Sequence, residues 1–170
     1  MYIQTSEMKS VLYKYQMDEI TENDIEIVED AILAATAEVR AYFEAANERR
    51  ESANLSKQQY KNWKLYDVDA IFSATGTDRN NFIMRIVKTI AAYHVCELAN
   101  VDVIYEHVKE RYDRSIATLE KIAGMGDYAN SRIIIPGLPT IDEGQDGDEE
   151  EESNTTKPFR MVSRKKFNHE

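Results

Sequence analysis

Hydrophobic positions along most of this chain recur at alternating steps of three and four, the period of an α-helix that buries one face. The clearest run is Ile25, Val28, Ile32, Ala35, Val39, Tyr42 and Ala46, seven residues on one stripe with no glycine or proline between 24 and 51. That spacing predicts a single helix of about 40 Å. Thr21 or Asn23 is placed to cap it, and the early acids suit its N-terminus. Before it, Ser6 to about Met17 predicts a shorter amphipathic helix with Met8, Val11, Leu12 and Tyr15 on the inner face.

After the turn Thr75-Gly76-Thr77-Asp78 comes the most apolar stretch, about Arg79 to Ala99. Phe82, Ile83, Ile86, Val87, Ile90, Tyr93, Val95 and Leu98 cover most of its circumference, and Arg85, Lys88 and Thr89 leave only a narrow polar stripe. A helix apolar nearly all round belongs at the centre of a fold. Asn100 or Asp102 starts a last helix to about Ala123, with Ile104, Val108, Tyr112, Ile116, Leu119 and Ala123 inward and Glu110–Arg114 as an outer i,i+4 pair. Gly124 and Gly126 end it. With almost no linker between them, these two helices are expected to pack antiparallel. The pattern predicts an all-α fold: a small helical bundle over 1–126, a short extended segment over 127–141 and an extended C-terminal arm.

Charge changes the picture mainly by its distribution. The 170 residues carry 21 Lys plus Arg and 31 Asp plus Glu, a formal net charge of −10. Residues 1–141 hold 16 bases and 22 acids, whereas 142–152 hold eight acids in eleven residues. That stretch repels itself and is expected to be disordered alone, as a linker. Residues 153–170 reverse sign, with Lys157, Arg160, Arg164, Lys165 and Lys166 against Glu170, and add Phe159, Met161, Val162 and Phe167. A basic segment with spaced apolar anchors reads as an arm that orders on a partner. Within the body, Asn47 to Tyr66 is locally basic and interleaves Tyr60, Trp63 and Tyr66. Those aromatics are candidates for a subunit interface; the overall negative balance argues against a nucleic-acid surface.

Candidate chemistry is sparse. The chain contains no Glu-x-x-His, and His94 with Glu97 has the reverse order, so no di-metal carboxylate bundle is predicted. Asp142, Asp146 and Gly147 match three positions of a calcium loop, but Gly144 and Ser153 fall where ligands are required. The single cysteine, Cys96, lies in the most apolar helix, where it reads as a small buried hydrophobe, and His94 reads as a packed core or interface histidine. No nucleophile elbow, Walker loop or dinucleotide fingerprint occurs. The expectation is a non-enzyme with no catalytic, cofactor or metal residues. The start, Met1-Tyr2-Ile3-Gln4 followed by Glu7 and Lys9, is not that of a signal peptide, and no window suits a membrane span.

In layout the chain resembles the head–tail connector (adaptor, or head-completion) proteins of tailed bacteriophages, in particular the Mu-like group. The resemblance is carried by Met1-Tyr2-Ile3 with its short helix, the Ala-rich helix Ile25 to Phe43, and the central Ile86-Val87-Lys88-Thr89-Ile90-Ala91-Ala92-Tyr93-His94. The closest match is Val108 to Gly124, and the last is the ending Phe159-Arg160-Met161-Val162-Ser163-Arg164. Residues 49–66 and 142–152 depart from the pattern. The resemblance implies a structural virion protein at the neck, made in the host cytoplasm. It implies a homo-oligomeric ring, dodecameric by family resemblance, that docks on the portal protein, receives tail or neck proteins and lines the channel for viral DNA without sequence-specific binding. The arm positions it points to are Phe159, Arg160, Val162, Ser163, Arg164, Lys165, Lys166 and Phe167. The alternative reading is a helical regulatory or chaperone-like protein whose basic tail engages a partner.

Overall fold

The computed structural model describes residues 1–52, 65–98, 102–125, 127 and 135–141. Three helices form the body: α2 (Ile25–Ser52), α4 (Asn81–Leu98) and α5 (Asp102–Ala123). Each packs against the other two. Smaller elements dress this core: a 3-10 helix (Thr5–Ser10), α1 (Lys14–Ile20), strand β1 (Leu65–Tyr66), α3 (Val68–Ser73), a 3-10 turn (Gly76–Asp78) and strand β2 (Thr140–Ile141). Among the described residues the fold is all-α apart from that two-stranded pair.

The long helix forms because its stripe is buried. Val28, Ile32, Ala35, Val39, Phe43 and Ala46 lie in the core, with Tyr42 packed against it. Its start departs from expectation. Asp24, not Thr21 or Asn23, is the cap, accepting from the Glu26 N–H at 3.0 Å. Glu22 and Asn23 take left-handed backbone at φ 53° and 67° to turn the chain into the helix. Ile25 is 60% exposed, on the rim of a cleft shared with Lys14 and Met17 of α1.

The central helix is α4: Ile83, Ile86, Val87, Ile90, Ala91, Ala92, Val95 and Cys96 are all buried. Asn80 caps it, accepting from Phe82 N–H at 2.9 Å and Ile83 N–H at 3.3 Å. Tyr93 stacks on Tyr112, while Arg85 shares a groove with Ser115 and Thr118. Rising numbers on one helix meet falling numbers on the other, so α4 and α5 are antiparallel. Gly124, at φ 66°, ends α5, and the Met125 N–H donates back to the Glu120 carbonyl at 2.9 Å. This is the six-to-one bond of a glycine-terminated helix, which occupies a carbonyl the helix leaves unpaired.

The N-terminal segment corrects the sequence reading. In place of one helix from Ser6 to Met17 there are two short ones, and Tyr15 is exposed, stacked beside Tyr13. Met8, Leu12 and Met17 supply the buried contacts. A 3-10 turn followed by a new α-helix shifts the phase, which carries Tyr15 off the inner face.

Candidate docking surfaces

Tyr66, read from sequence as a subunit-interface aromatic, is a core residue instead, with 0% exposure. Its ring meets Phe43 edge-on at 5.0 Å, and its hydroxyl accepts from the Ile135 N–H at 3.2 Å. Asn47 of α2 holds its backbone on both sides: Nδ2 donates to the Tyr66 carbonyl at 2.8 Å, and the Tyr66 N–H donates to Oδ1 at 2.9 Å. In the antiparallel pair, Leu65 lies opposite Ile141 and Tyr66 opposite Thr140, while the Asp67 N–H donates to the Pro139 carbonyl at 3.0 Å. A side-chain amide thus serves β1 as a second strand partner. The consequence is mechanical: residues 135–141 are fastened to α2 through Tyr66 and Asn47.

The other two aromatics, Tyr60 and Trp63, lie outside the described residues, as do the acidic run 142–152 and the arm positions Phe159, Arg160, Val162, Ser163, Arg164, Lys165, Lys166 and Phe167.

Two polar clusters tie the elements together. Glu38 on α2 accepts from the Tyr112 hydroxyl at 3.0 Å and sits 3.1 Å from His94 Nε2, so one carboxylate links α2, α4 and α5. Tyr93 and Tyr112 stack at 4.1 Å beside it. Burial, and then the adjoining Glu38 carboxylate, push the Tyr112 phenol well above its ordinary pKa. The expected packed histidine is therefore a half-buried bridge between helices. Cys96 is buried, and desolvation raises its thiol pKa. That leaves the neutral thiol, a poor nucleophile.

The second cluster anchors the N-terminus. Arg79 donates through Nη1 and Nη2 to the two oxygens of Glu7, each at 2.8 Å. Nη1 also reaches the Tyr2 carbonyl at 2.8 Å, and Nε reaches the Gly76 carbonyl at 3.0 Å. Hydrogen bonding from Arg79 holds the Glu7 carboxyl at about 2 against an ordinary 4.5, in spite of the opposing effect of burial. Nothing in the local sequence announces this pair, which spans 72 residues.

On the surface, a groove of about 450 Å³ runs between the first half of α4 and the second half of α5. Arg85, Arg111 and Arg114 line it with Phe82 and the hydroxyls of Ser10, Thr89, Ser115 and Thr118. It is the basic counterpoint to an acidic body. A second cleft of about 470 Å³, between α1 and the start of α2, is bordered by Met17, Ile25 and Val28 together with Lys9, Lys14 and Asp18. Among the described residues, no helix is long and apolar enough to cross a membrane.

Comparison with family models, with curated proteins and with solved structures returned no match. The connector resemblance therefore rests on the helix patterns and tail residues quoted above.

Proposed function

We propose that this protein is a structural assembly subunit of the head–tail connector class. It forms a homo-oligomeric ring that docks on a portal protein, joins it to tail or neck proteins, and borders a channel through which viral DNA passes without sequence-specific binding. In this reading residues 153–170 are the docking arm, with Phe159, Val162 and Phe167 as apolar anchors and Arg160, Ser163, Arg164, Lys165 and Lys166 as polar and ionic contacts.

The observation that carries the reading is the fastening of residues 135–141 to the bundle through Tyr66 and Asn47. A recognition arm needs a fixed point of departure, because tethering sets its local concentration at a partner. Here that point is Ile141, separated from the arm by the eleven residues 142–152. The acidic body also fits a wall past which DNA slides, since like charge suppresses the counterion release that drives phosphate binding.

The test is reconstitution. The full chain mixed with portal assemblies should form a ring visible by electron microscopy, and a chain lacking 153–170 should lose at least tenfold in portal affinity. Unchanged binding after that deletion would remove the arm from the proposal, and a one-to-one soluble complex without a ring would overturn the connector reading.

A further inference from the structure

The arginine groove between α4 and α5 has a specific occupant within reach. We infer that it is the docking site of this chain's own acidic run, residues 142–152, which folds back onto the bundle and holds the C-terminal segment against it. The inference does not depend on the connector reading.

Three observations carry it. The first is charge. Arg85 and Arg111 are exposed and form no hydrogen bond or ion pair among the described residues, while Arg114 is shared only with Glu110. Two guanidiniums without an ion pair among the described residues, and a third shared with Glu110, face a single groove, in a body whose residues 1–141 carry six more acids than bases. Guanidinium forks match carboxylates in pairs, and the run offers eight carboxylates in eleven residues.

The second is donor chemistry. The hydroxyls of Thr89, Ser115 and Thr118 each donate to the carbonyl one helical turn back, at 2.8–2.9 Å. Their hydrogens are committed, so the groove meets an anion through its arginines. Arg85 lines the groove from α4 and Arg111 and Arg114 line it from α5, so an acidic strand laid between the two helices meets guanidiniums from both.

The third is reach. Leu138 and Pro139 border a crevice with Asn80 and Asn81, at the first turn of α4. Phe82 and Arg85, at the near end of the groove, lie only one turn further along, ~6 Å at 1.5 Å per residue. The acidic run begins right after Ile141, and eleven extended residues span up to about 36 Å. Tethering this short gives an effective concentration in the millimolar range, so the run outcompetes free anions, nucleic acid included, for the same arginines.

The test uses the full chain with a nitroxide at Ser153→Cys, which keeps all eight acids. Cys96 is buried and leaves the new cysteine as the labelled site. Amide signals of residues 85–89 and 111–118 should lose more than half their intensity relative to the reduced label, and should recover it in 1 M NaCl, where the Debye length falls to about 3 Å. They should also recover in Arg85→Gln/Arg111→Gln, whose substitutions sit at exposed helical positions. Unaffected signals, or broadening spread evenly over the surface, overturn the inference. So does broadening in a mixture of isotope-labelled unmodified chain with spin-labelled, isotope-free chain, because a second copy is then the occupant. An equimolar dT20 oligonucleotide that shifts the same amides of the full chain would show the groove open to phosphate and overturn it as well.

Discussion

Replacing Glu7 by glutamine tests whether the N-terminal clamp is an electrostatic device or only a packing contact. The side chains of Arg79 and Glu7 are 12% and 25% exposed, so water weakens the pair without abolishing it. A carboxyl held at about 2 instead of 4.5 corresponds to an upper bound of ~3.4 kcal/mol at 1.36 kcal/mol per pH unit. Solvent screening of a partly exposed pair brings the expected contribution to about 2 kcal/mol. Because the folded-state value is depressed, that stability is fully present above pH 4.5 and is lost as pH falls toward 2. Urea unfolding followed by circular dichroism at pH 7, 5, 4 and 3 should show Glu7→Gln less stable by about 2 kcal/mol at the two higher values. The gap should shrink below pH 4.5 to less than half by pH 3. Arg79→Ala should cost more, about 3 kcal/mol, since it also strips a donor from the Tyr2 and Gly76 carbonyls. Arg79→Lys should recover less than half of that loss, because an ammonium cannot span both carboxylate oxygens. A gap between wild type and Glu7→Gln that stays constant down to pH 3 would refute the electrostatic account.

Other contacts make equally direct predictions. Asn47→Ala should destabilise the fold by about 2–3 kcal/mol, from two lost hydrogen bonds to Tyr66, and should raise hydrogen exchange at Tyr66 and Thr140 before the rest of the body. Tyr112→Phe should cost about 1–2 kcal/mol by chemical denaturation, from the bond to Glu38. It should also remove a late-ionising phenol from an alkaline absorbance titration. The raised phenol stabilises the fold below pH 10, and that stability is lost as pH climbs toward the folded-state value. The Tyr2 hydroxyl is buried with no hydrogen-bond partner among the described residues. Tyr2→Phe should therefore be neutral or stabilising by up to ~1 kcal/mol in thermal unfolding, and a clear loss of stability would contradict that assignment.

Much of the bundle was legible because α2, α4 and α5 each bury one continuous face, and burial stamps its period on the sequence. The all-round apolarity of Phe82 to Val95 identified the central helix correctly for the same reason. Tyr66 was misread because its role is set by residues far away: Asn47, Phe43 and Ile135 make an aromatic in a basic segment into a core anchor. Local composition cannot register pairings separated by 19 or 69 residues. The Arg79–Glu7 clamp is invisible on the same ground. The groove is an intermediate case. The sequence pattern puts Arg85 on the polar stripe of the central helix and Arg114 on the outside of the next, and antiparallel packing of the two helices brings those faces together. Arg111, one turn before Ser115, completes the set.

The two proposals constrain one another through charge. An arm with five cations and a preceding run with eight acids attract each other, and a chain left to that attraction would neutralise its own docking residues. Seating the run on Arg85, Arg111 and Arg114 changes the competition: carboxylates engaged by guanidiniums in the groove are less available to Arg160, Arg164, Lys165 and Lys166. A partner surface must then outcompete a weakened internal rival, and the cations remain open to it. The groove would in this way favour capture by a partner it never touches. Neutralising Arg85 and Arg111 should return the acids to the arm and weaken partner binding although every arm residue is intact. Net charge alone could not express this, because −10 averages over a mildly acidic body, a strongly acidic run and a basic end, whose separation along the chain would let each meet a different counterpart as proposed.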